Sequence, residues 1–145
     1  MMERIVESVK GSRQAVCLGI GNPAIPDDSR GIHLARCLAA SGVKTIIAGL
    51  YPENHLEEVV KEGPDLVLIT DTVRSAPSGY IITEEIPTAL TTTTHALPLS
   101  TLTGYLKMRA NCPVVFVGVD ALMGDDEIEG LAQELIDALH QPVQS

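Results

Sequence analysis

Two aspartates and one histidine stand where the chain changes from apolar to polar. Asp28 falls in the loop after the first apolar run, Asp71 directly after a later one, and His95 ahead of a stretch with helical spacing. Two carboxylates and a neutral imidazole form a mixed oxygen and nitrogen donor set that suits Zn, Ni, Fe or Mn and leaves coordination positions open. Open positions are what metal-assisted hydrolysis requires. Each residue also has a plain structural use: Asp28 as a helix cap, Asp71 closing a turn, His95 as a surface histidine. No H-E-x-x-H or similar local motif fixes their geometry, so spacing alone leaves both uses open.

Other chemistry is less well supported. Gly19-Ile20-Gly21-Asn22 after a strand invites a dinucleotide reading, but the third glycine of G-x-G-x-x-G would fall at Ala24. Pro23 and Pro26 remove N–H donors, and Asp27 and Asp28 stand where an anion would sit. Ser100 follows His95 by five residues without a G-x-S-x-G elbow or an evident third member, which argues against a Ser/His/Asp triad. Cys17, Cys37 and Cys112 show neither C-x-x-C nor zinc-finger spacing and read as small buried hydrophobes. His33, His55 and His140 fall on helix surfaces or ends. Glu53 and Asp120 read as capping or structural carboxylates.

The elements that must position these groups alternate. Met2, Ile5, Val6 and Val9 lie on one face of a short N-terminal helix, with a connector to about residue 14. Ala15 to Ile20, Leu66 to Thr70 and Val114 to Val119 read as buried strands, and Lys44 to Leu50 as a further strand. Tyr80 to Ile86, bracketed by Pro77 and Pro87, reads as a strand near a sheet edge. Helices are expected from Asp27 or Asp28 to about Ser41, from Pro52-Glu53-Asn54 to Gly63-Pro64, from about Leu99 to Arg109, and from Asp125 to Leu139. This alternation predicts a single α/β domain over residues 1–145, a three-layer sandwich with a mainly parallel twisted sheet of about five strands and helices on both faces. In such sheets ligands bind outside the carboxyl ends of the strands, which selects the 21–28 loop, Asp71 and Thr72, the segment around His95, and Asp120.

The chain has 145 residues, 45% of them hydrophobic and 20% charged, which excludes a disordered tail or a disulfide scaffold. Ten Lys and Arg against nineteen Asp and Glu give a net charge of −9, a field that repels phosphate backbones and anionic lipids. Nucleic acid and membrane are therefore not expected partners. The N-terminus lacks a signal-peptide pattern and no apolar stretch approaches a membrane span, so a cytoplasmic location is expected.

The stretch Leu18-Gly19-Ile20-Gly21-Asn22-Pro23-Ala24-Ile25-Pro26-Asp27-Asp28-Ser29-Arg30-Gly31, then Asp71 after an apolar strand, then Thr94-His95-Ala96-Leu97-Pro98-Leu99-Ser100, resembles the hydrogenase maturation endopeptidases. The likeness is strongest to the branch acting on group 4 nickel-iron hydrogenases, and it spans about residues 15–139. Tyr51-Pro52-Glu53-Asn54 shares in it. The resemblance implies a nickel-dependent peptidase, grouped by that likeness with aspartyl-type peptidases. Such an enzyme removes a C-terminal extension from a hydrogenase large-subunit precursor after nickel insertion. It also implies that Asp28, Asp71 and His95 are the catalytic and metal-binding residues and that the nickel is supplied by the substrate; the enzyme is expected to be monomeric or weakly associating. Many members carry glutamate where this chain has Asp28. The alternatives are a non-catalytic metal- or nucleotide-binding module, or a chaperone that binds the precursor, on the same scaffold.

Overall fold

Continuous Val, Ile and Leu runs flanked by helical segments give strands buried on both faces, and the computed structural model of the chain, which describes residues 7–85 and 98–141, has that plan. In chain order the elements are β1 (Ala15–Ile20), α1 (Arg30–Ala40), β2 (Lys44–Gly49), α2 (Leu56–Lys61), β3 (Leu66–Val73), β4 (Tyr80–Thr83), α3 (Leu99–Ala110), β5 (Val114–Asp120) and α4 (Asp125–Leu139). Single turns of 3-10 helix occur at Glu7–Val9, Pro26–Asp28 and Pro52–Asn54. The sheet order is β2-β1-β3-β5-β4, parallel except where β4 runs antiparallel along β5 at the edge.

Side-chain alternation divides the interior into two layers. Cys17, Leu68, Val115 and Val117 pack with Leu34, Leu38, Leu131 and Leu135 of α1 and α4. Val16, Leu18, Ile69 and Phe116 pack on the opposite face with Val59 of α2 and Leu102 and Leu106 of α3. The apolar stripe of α4 faces inward as its spacing requires, and the Glu127 carboxylate reaches back to accept the Gly124 N–H at 3.1 Å, closing its first turn. α2 stops before Gly63, whose φ of 64° a Cβ would disfavour.

The chain leaves β1 toward β2 on one side of the sheet and leaves β3 toward β5 and β4 on the other. The point where these directions part lies between the carboxyl ends of β1 and β3, the ligand crevice of an open α/β sheet.

Two sequence expectations need correction. Asp71 lies inside β3 rather than after it, because pairing with β5 continues through Asp71–Gly118, Thr72–Val119 and Val73–Asp120. Neither Asp27 nor Asp28 caps α1: both sit in the 3-10 turn, and Ser29 is the N-cap, without a side-chain bond. The expected N-terminal helix lies mostly outside the described residues, which begin with a single 3-10 turn at Glu7–Val9.

Candidate functional site

β1 ends at Ile20, and Gly21 turns the chain with a φ of 145° that a side chain rarely adopts. The loop then folds on itself. Gly21 N–H donates to Gly49 O at the end of β2, Asn22 N–H to Asp28 O, Ile25 N–H to Asn22 O, and Asp28 N–H to Ile25 O. Ala24 N–H donates to the Asn22 side-chain oxygen at 3.0 Å, and the half-buried Asp28 carboxylate also accepts from Asn22 N–H at 3.2 Å. A Cβ at Gly21 would stand 2.4 Å from Asp28 O, so glycine is required where the loop closes. Apart from Gly21, whose N–H goes to β2, these N–H groups are engaged within the loop and are not offered to a pyrophosphate.

The fully buried Asp71 approaches the same place from β3. Its Oδ1 accepts the Thr72 N–H at 2.8 Å. Its neighbours on the other face of the strand secure the first turn of α1: Thr70 Oγ1 donates to Gly31 O at 2.8 Å, and Thr72 Oγ1 accepts from Arg30 N–H at 3.1 Å and Gly31 N–H at 3.3 Å. Gly31 rests on the backbone of Asp71, leaving no room for a Cβ. The segment that carries Asp28 is thereby fixed against the strand that carries Asp71.

His95 lies outside the described residues. Among those residues no three His, Cys, Asp or Glu side chains gather as a metal-binding group. What is present is a pair of carboxylates on adjoining segments, one fully buried and one half-buried, each accepting a backbone N–H. Buried and half-buried oxygen donors fit a divalent cation that still needs further ligands.

The remaining candidates have other uses. Asp120 Oδ2 accepts from Ala76 N–H and Oδ1 from Leu122 N–H, each at 2.9 Å, so it ties the loops after β3 and β5. His33 Nδ1 lies 3.3 Å from Asp125 Oδ1, which also takes Arg30 Nη1 at 2.7 Å, and His55 Nδ1 lies 2.7 Å from Glu58. Burial pushes the Cys17 thiol up to about 12, partly offset by a bond with Thr70, and burial also raises the half-buried Cys37 and Cys112. None of the three is an activated nucleophile. Sequence reasoning missed the role of Thr70 and Thr72. Its trace is the Thr-Asp-Thr alternation that interrupts an otherwise aliphatic strand.

No protein-family model matches the chain. A Methanocaldococcus jannaschii protein, provisionally named a hydrogenase maturation protease, is 25% identical over 96% of this chain and 94% of its own length. The endopeptidase HycI from Escherichia coli is 25% identical, covers 92% of this chain and 99% of its own, and superposes with a TM-score of 0.68. The NiFe hydrogenase maturation protease HycI from Thermococcus kodakarensis shares the fold with a TM-score of 0.75 at 24% identity, over 92% of this chain and 96% of that one. The resemblance carried by the motifs therefore extends over nearly the whole chain and its architecture.

Proposed function

We infer that this chain is a hydrogenase maturation endopeptidase, and propose that it removes the C-terminal extension of a nickel-iron hydrogenase large-subunit precursor, using the nickel already held by that precursor as the recognition element. The observation that carries the reading is the joining of the Asp28 loop to Asp71 through Gly31, Thr70 and Thr72 at the strand switch point. The whole-length likeness to maturation proteases supports it.

On this reading Asp28 and Asp71 offer oxygen ligands and His95 a nitrogen ligand to the substrate's nickel. An ion so held supplies Lewis-acid polarisation of the scissile carbonyl or an activated water. The chain's own residues bind and orient, setting the peptide in line with the attacking water. Water adds its oxygen to the acyl carbon, the C–N bond breaks, and a proton passes to the departing amine. Carboxylates offered from two adjoining segments gain from an arriving cation, in keeping with a net charge of −9.

The test is incubation with nickel-loaded precursor, followed by mass measurement of the released peptide. Asp28→Asn, Asp71→Asn and His95→Ala should each reduce release at least roughly a hundredfold while the fold is kept. Full release by these variants would remove the site from the mechanism. Binding without release by the wild type would leave the chaperone alternative.

A further inference from the structure

Glu53 is a carboxylate that neither the fold nor the proposed metal chemistry uses. It sits in the turn Pro52–Asn54 that follows β2, between the buried Pro52 and the start of α2. It is half-buried, and its Oε2 is removed from solvent without a hydrogen-bond partner among the described residues. Capping does not account for it: neither the 3-10 turn nor α2 has a side-chain cap, and His55 occupies the N-cap of α2. A buried carboxylate oxygen left without a donor costs free energy and is retained where something else supplies the donor.

Its place in the fold says where that donor arrives. β2 lies beside β1, and Gly49, at the end of β2, takes the Gly21 N–H of the loop that carries Asp28. α2 packs its Val59 into the same layer as α3, the layer on whose side of β3 Asp71 falls by alternation with Thr70 and Thr72. Glu53 therefore belongs to the same carboxyl edge of the sheet as the candidate site, one strand farther out. It does not join Asp28 and Asp71 in a three-residue metal cluster, which favours a polypeptide donor over the ion itself.

We propose that Glu53 is a substrate-positioning residue, whose buried Oε2 accepts a hydrogen bond from a cationic side chain of the bound polypeptide next to the scissile bond. A carboxylate oxygen removed from solvent in a chain of net charge −9 is best compensated by a guanidinium, ammonium or imidazolium donor. This rests on the peptidase reading. A cation held one strand away from the two aspartates would set the register of the peptide across them.

The experiment compares wild type, Glu53→Gln and Glu53→Ala on nickel-loaded precursor, and on precursor whose basic residues flanking the cut are replaced by Gln. The expected result is a KM raised about tenfold or more by either Glu53 change, with kcat kept. The changes in enzyme and precursor should not add, and Tm should be unchanged or raised, because an uncompensated oxygen has been removed. Unchanged KM in both variants, or additive effects, would overturn the positioning role and leave the peptidase reading standing. A fall in Tm matched by an equal loss of kcat would assign Glu53 a structural role instead. Failure of the wild type to cleave at all would remove the peptidase reading, and this inference with it.

Discussion

Gly31 lies against the backbone of Asp71: a Cβ built on Gly31 would approach Asp71 Cα at 2.5 Å and its N and C atoms at 2.6 Å. Backbone cannot move aside as a flexible side chain can, so the first turn of α1 and the middle of β3 are held at one separation. Thr70 and Thr72 bond that turn from the strand, and Gly31 sets how near it comes.

Gly31→Ala should therefore force α1 off β3, with an overpacking cost of about 2 kcal/mol. Thermal denaturation should show a fall of roughly 5–10 °C. Precursor cleavage measured well below the new midpoint should fall more than the folded fraction, because the Asp28 loop shifts relative to Asp71. Activity tracking the folded fraction would mean that the contact supports stability alone.

Asp120→Ala separates structure from chemistry at the strand ends. It frees the N–H groups of Ala76 and Leu122 and should cost about 1–2 kcal/mol. Its kcat at a temperature where it is fully folded should match wild type. A loss of kcat as large as that of Asp71→Asn would give Asp120 a direct part in the reaction.

The acid limb of stability should carry a contribution from Asp65. Partial burial raises its pKa, but the bonds from Ser12 Oγ, Arg13 N–H and Gln14 N–H outweigh this and hold the carboxyl below its usual 3.8. A depressed folded value means stability fully present above the unfolded value, near pH 4, and lost as the pH falls through the folded one. Asp65→Asn should lower Tm at pH 7 and shrink the difference in Tm between pH 7 and pH 3. An identical difference in the two proteins would show that Asp65 does not couple protons to folding.

Thiol labelling tests burial directly. With its thiol pushed up to about 12, Cys17 should resist iodoacetamide at pH 8 in the native protein and react on denaturation. Cys37 and Cys112, half-buried and raised, should react slowly, and their modification should leave cleavage intact. Rapid native labelling of Cys17 would mean that the layer between the sheet and α1 opens readily.

The parts of this fold legible in the sequence are those written in local pattern. Ala15–Ile20 and Val114–Val119 are continuous apolar runs, and both are central parallel strands. Ile128, Leu131, Leu135 and Leu139 repeat at helical spacing and are the buried face of α4. Prolines on either side of the Tyr80 segment marked an edge strand, and β4 is one. What local pattern did not carry was pairing at a distance. β3 runs on through Asp71 because β5 supplies partners as far as Asp120, residues some fifty positions away. For the same reason the uses of Thr70 and Thr72 surfaced only with the structure, since their partners belong to α1. Asp28 and Asp71 were identifiable by type and by their places beside apolar strands. That Asp28 bonds its own loop instead of capping α1 follows from the backbone path set at Gly21.

The two aspartates are contributed by stretches more than forty positions apart, and β3 inserts on the flank of β1 opposite β2 only after α1, β2 and α2 have been made. A chain interrupted during synthesis anywhere before residue 71 lacks half of the pair altogether. On the proposed reading the site is therefore completed only late in synthesis, once both stretches and His95 after them have been made.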